Sequence, residues 1–136
     1  MIIKNTYGVE LNLPTVTVGL RTNFQDIPQL RYNAVVITGI EAYTQSQLLS
    51  SPTGKTIVSS TGILGISITL VVMDTEEVYQ LPYYSLVSGL NSGIVKEFAN
   101  KRINIVKSYA TILNTTGINA GESLFLSFMY VPSLKN

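Results

Sequence analysis

A period of two runs through this chain and narrows what it can fold into. Residues 63 to 73 place Ile66, Ile68, Leu70 and Val72 on one face of a strand. Residues 123 to 131, S-L-F-L-S-F-M-Y-V, place Leu124, Leu126, Phe128 and Tyr130 on one face and Ser123, Phe125, Ser127 and Met129 on the other. Both faces of this second run are largely apolar, which predicts a strand that is central or lies against a neighbouring subunit. Val, Ile, Thr, Tyr and Phe make up more than a third of the 136 residues, and strong helix formers are sparse.

Turn signals between the alternating runs complete an all-β pattern. Residues 15 to 20, T-V-T-V-G-L, predict a strand with Val16, Val18 and Leu20 on one face and Pro14 at its start. Within residues 32 to 44, Val35 and Ile37 share a face and Ile40 falls out of phase, so Gly39 marks a bulge or sharp bend. Residues 45 to 62 form the longest polar loop, with a short strand around Thr56 to Val58. After the strand at 63 to 73, M-D-T-E-E makes a tight turn and V-Y-Q-L pairs back as a hairpin that Pro82 ends. Ile94 to Asn100 is read as one short helix of about two turns, with Ser92 as its N-cap. Residues 102 to 113 hold a bulge or face switch near Val106 and Lys107, and Pro132 stops the strand before it. The expected architecture is one β-sandwich domain over residues 1–136, two antiparallel sheets with a jelly-roll-like order and one short helix.

Absent residue types exclude much chemistry. Without Cys there is no disulfide, thiol nucleophile or thiolate metal site, and without His the commonest general base and metal ligand are missing. Only a mechanism built on carboxylates stays open, and the adjacent Glu76 and Glu77 would point to opposite faces of a strand. We expect no enzyme activity, no catalytic residue, no cofactor and no metal. The S-P-T-G-K-T run at Ser51 to Thr56 fails as a phosphate loop, because Leu49 stands where the first glycine belongs and I-V-S-S-T-G follows where a helix is needed. Lys96, Lys101, Arg102 and Lys107 lie close in sequence, yet Glu97 dilutes them and net charge is +1, so direct nucleic-acid binding is not expected. The sequon at Asn114 is read as a loop turn into Gly117. No secretion signal opens the sequence, and the longest apolar stretch, Ile63 to Met73, falls short of the roughly 20 residues that span a bilayer.

What remains is a surface built to meet other surfaces. Charged residues are 12% of the chain, about half the roughly 25% that is usual, and interfaces are depleted in charge. The polar complement comes from neutral Ser, Thr and Asn, beside eight Tyr and no Trp. Tyr suits protein contact because its ring is apolar and its tip polar.

The segments L-V-V-M-D-T-E-E-V-Y-Q-L-P-Y-Y-S-L at 70 to 86 and K-S-Y-A-T-I-L-N at 107 to 114, followed by S-L-F-L-S-F-M-Y-V, lay out a hairpin, a proline exit, a short helical excursion and two closing strands. In this the chain resembles the single jelly-roll structural proteins of virions, such as penton and minor capsid proteins of viruses and phages. The resemblance spans residues 9 to 131 and is architectural. It implies a structural subunit located in a virion, with copies of itself and other virion proteins as partners. The long basic arm of many capsid proteins is missing. Candidate subunit contacts are Ile2, Ile3 and Tyr7 in the stretch Ile2 to Leu13, Leu48 and Leu49 in the 45 to 62 loop, Tyr83 and Tyr84, and the closing S-L-K-N. The alternative is an extracellular carbohydrate-binding or adhesin-like β-sandwich that holds a glycan with Tyr rings and Asn side chains.

Overall fold

The computed structural model describes residues 5–73, 78–87 and 96–132. Its strands form two antiparallel four-stranded sheets. The first sheet holds, side by side, β1 (Asn5–Asn12), β8 (Ser123–Pro132), β3 (Val35–Tyr43) and β6 (Lys96–Lys101). The second holds β2 (Arg21–Asn23), β7 (Tyr109–Ile112), β4 (Ile66–Val71) and β5 (Val78–Pro82).

Alternation decides what each strand buries. Val9 and Leu11 of β1, Ile40 and Ala42 of β3, and Leu124, Leu126 and Phe128 of β8 point into a shared apolar cluster. Ile66, Ile68 and Leu70 of β4 and Ala110 and Ile112 of β7 meet them from the second sheet. Each buried Leu, Ile or Phe contributes about 1.5–3 kcal/mol. Phe24 packs edge-on against Phe128, with ring centroids 6.2 Å apart.

Several sequence expectations hold. Register slips between Ile37 and Gly39 against both neighbours of β3, which is the expected bulge. The slip keeps both Ile37 and Ile40 buried although they are out of phase. Strands β4 and β5 pair antiparallel as the expected hairpin partners, and the M-D-T-E-E turn between them lies, beyond Met73, outside the described residues. Strand β8 is central, flanked by β1 and β3. Near Val106 the chain leaves the first sheet for the second through a 3-10 turn at Ile105–Lys107. The Asn104 side chain caps that turn by accepting from the Lys107 N–H, and the Ser108 hydroxyl donates to the Asn104 carbonyl at 2.8 Å.

Two expectations fail. Thr15 to Leu20 is not a strand: Gly19 turns at a φ of 86° and pairing starts only at Arg21. Val18 stands 63% exposed, while Val16 and Leu20 of the same alternation are half-buried against the core without forming a ladder. The expected helix at Ile94 to Asn100 is replaced, from Lys96 onward, by β6, because the open edge of β3 offers ladder partners to Lys96, Glu97 and Lys101. Ser92, its expected cap, lies outside the described residues. Helical structure among the described residues is limited to short 3-10 turns, and no helix among them is long and apolar enough to cross a membrane.

Candidate functional site

A wide groove lies where the two sheets part, between β1 and the segment that starts with β2. It encloses about 720 Å³. Tyr7 to Asn12 form one wall and Thr22, Asn23, Gln25, Asp26 and Ile27 the other, with Thr53 and Lys55 at its margin. It exists because the strands differ in length: β1 runs eight residues and β2 only three. Tyr7 and Ile27 are only partly covered there. The remaining lining mixes the neutral amides and hydroxyls of Asn12, Thr22, Asn23, Gln25 and Thr53 with the charged Glu10, Asp26 and Lys55 and with Gly8, Val9 and Leu11 of β1.

The carboxylates in this groove are already engaged. Thr53 Oγ1 donates to Glu10 at 2.7 and 2.9 Å, and Ser123 Oγ donates to its Oε2 at 3.0 Å. Burial pushes the Glu10 carboxyl up, but the hydrogen bonds from Thr53, Ser51 and Ser123 outweigh it and hold the group below its ordinary range. Asp26 is held below its ordinary range by the hydrogen bond from Arg31, whose charge adds to the effect. Both groups are therefore fixed anions at neutral pH, with no proton to give.

The outer face of the first sheet is a second feature of the same side. Phe125 and Tyr43 contact each other there, with centroids 5.7 Å apart, and Met129, Val131 and Val36 are half-buried farther along the same face. The Phe125 ring also lies over β1, where a Cβ added at Gly8 would meet its Cζ at 2.7 Å. Gly8 thus makes room for the close approach of that ring, which a larger residue would push aside. The Thr38 hydroxyl, at the bulge, is buried with no hydrogen-bond partner among the described residues.

The proposed contact residues separate in the structure. Tyr83 is fully buried, so it cannot offer its ring to a neighbour. Its hydroxyl donates toward the carbonyls of Tyr43 (2.9 Å) and Phe125 (3.2 Å) and accepts from the Phe125 N–H. It thereby ties the end of the β3–β8 ladder, and burial pushes its phenol well above the usual range despite those bonds. Tyr84, its neighbour, is 44% exposed. Leu49 is 75% exposed on the polar loop and Leu48 is half-buried beside it. Tyr7 lines the groove, while Ile2, Ile3 and the closing S-L-K-N lie outside the described residues.

A further apolar cluster was not legible in the sequence. The Gly19 N–H donates to the Ile112 carbonyl and the Leu113 N–H to the Gly65 carbonyl, each at 2.7 Å. These bonds bring Val18, Leu113 and Leu64, each at least 60% exposed, to one end of the second sheet. The groove wall along β1 was missed as a strand too, although Tyr7, Val9 and Leu11 alternate. Comparison with known proteins returns no matching family model, no matching curated protein and no matching solved structure.

Proposed function

We propose that this chain is a non-enzymatic structural subunit of a virion, of a phage or another virus, a jelly-roll protein that works through contacts with copies of itself and with other virion proteins. The observation that carries the reading is the order of pairing. The first strand pairs with the last, the second with the seventh, the third with the sixth and the fourth with the fifth. A single long antiparallel ribbon, rolled over on itself, gives this nesting, and capsid domains are among the proteins built on such rolls.

Fold alone does not assign a function. The assembly reading draws further support from the side chains. The groove holds fixed anions rather than a poised acid and base. The first sheet presents Phe125, Tyr43 and Met129 on its outer face, and the chain carries a net charge of only +1, so copies repel little. The solution mass of the purified chain, by light scattering over a concentration series, tests the reading. A rise toward a defined closed oligomer is the expected result. A 14.9 kDa monomer at every concentration contradicts it.

One observation favours a second reading. Asn12, Thr22, Asn23 and Gln25 line the groove beside Tyr7, and amides next to a ring suit a neutral sugar. An extracellular glycan-binding module would stay monomeric and bind on a glycan array, with binding lost in Tyr7→Ala.

A further inference from the structure

We propose that β1 is the edge through which copies of this chain join: a second copy lays its own β1 antiparallel to the first and continues the first sheet across a twofold axis. The proposal rests on the assembly reading and names the contact that reading lacks.

The hydrogen bonding of β1 leaves one side open. The Leu13 N–H donates to the Glu122 carbonyl at 2.8 Å, one step past the last pair of the β1–β8 ladder, Asn12 with Ser123. Bonding alternates along an antiparallel ladder. Leu11, Val9 and Tyr7 therefore bond to β8, and the N–H and C=O groups of Thr6, Gly8, Glu10 and Asn12 point out of the sheet. Among the described residues no backbone or side-chain group bonds these outward groups.

Edges of this kind are usually guarded by shortness, lysine, proline or a bulge. The other three edges carry such guards. Strand β2 has three residues, β5 ends in Pro82, and β6 begins and ends with lysine and meets β3 across a bulge. Strand β1 has eight residues in unbroken register with β8, with neither proline nor lysine. Its one charge, Glu10, is bonded to Thr53 and Ser123 instead of standing guard.

The sequence of β1 also suits pairing with itself. In a twofold register centred on Val9, Thr6 faces the second copy's Asn12, Tyr7 faces its Leu11 and Glu10 faces its Gly8. The only like charges of the strand are thus kept from direct opposition. Tyr7 and Leu11 of both copies fall on the inner side, where they cover the partly exposed Tyr7 and Ile27 that line the groove. The contact is isologous and closes with two copies.

Amide hydrogen exchange of the full chain, resolved by residue and followed over a concentration series, tests this. We expect the amides of Thr6, Gly8, Glu10 and Asn12 to slow by about tenfold or more as copies associate, with Arg21 to Asn23 unchanged. Thr6→Pro removes an outward N–H and leaves the β8 ladder intact. It should weaken association by about tenfold, equivalent to about 1.4 kcal/mol, while the melting temperature of the dilute protein holds. Oligomers whose β1 amides exchange as fast as in the monomer overturn the pairing edge and leave the assembly reading standing on another surface. So does a Thr6→Pro chain that folds and assembles as tightly as the parent. A chain that is monomeric throughout overturns both.

Discussion

The two sheets share a core but are finished differently on the outside. In the first, β1, β8 and β3 run eight, ten and nine residues, and the outer rows of β8 and β3 hold Phe125, Met129, Val131, Val36 and Tyr43 beside the polar Ser127, Thr38 and Glu41. In the second, β2 and β7 run three and four residues. The outer rows of its central strands carry Ser67, Thr111 and the phenol of Tyr109, beside a buried Thr69 and a half-buried Val71, and Arg21 sits 4.6 Å over the Tyr109 ring. Short strands with hydroxyl-bearing outer rows suit contact with water, and the second sheet's exposed apolar side chains, Val18, Leu64 and Leu113, are confined to one end. Long strands with a half-buried aromatic face and an open edge leave more ladder groups and apolar surface to cover, which is why the proposed contact is placed on the first sheet.

Substitutions can break or sharpen this contrast, beginning with the core that both sheets share. Phe128→Ala removes the ring that packs against Phe24 and should cost about 3–5 kcal/mol. In denaturant titration both sheets should then lose protection in one transition. Tyr83→Phe strips the hydroxyl from the end of the β3–β8 ladder and should cost about 1–3 kcal/mol, since backbone groups are left buried and unpaired. By hydrogen exchange, the loss should centre on the first sheet. Thr6→Lys puts a guarding charge on the β1 edge and should weaken association by about tenfold, read by light scattering, whereas Thr111→Lys on the second sheet should leave it unchanged.

The smallest effect is expected at Glu10. Its carboxyl titrates below the ordinary value of 4.5 in the folded chain. Its stabilising contribution is therefore fully present above that pH and is lost as pH falls through the lowered value. Thermal melts from pH 6 down to about 3 should show this slope, and Glu10→Gln should flatten it.

Legibility in the sequence followed local against distant causes. The β4 alternation, the Gly39 bulge and the central β8 could be read because the pattern within each segment matches the burial it finally has. Thr15 to Leu20 alternates just as cleanly, but Gly19 turns the chain before any partner is reached. Lys96 to Lys101 is helix-like in composition, and only the distant edge of β3 makes it a strand. Tyr83 looked like a surface residue beside Tyr84, and its burial depends on carbonyls of Tyr43 and Phe125, some forty residues away on either side. The groove was hidden for the same reason. It is a gap between two edges, and no single stretch of sequence contains both.

Oxidative footprinting at low and high protein concentration reads Tyr7, beside the β1 edge, and Tyr109 on the second sheet in one sample. Tyr7 should oxidise several-fold more slowly once copies associate, while the rate at Tyr109 does not change. Slowing at Tyr109 with none at Tyr7 would overturn the β1 contact and assign association to the second sheet.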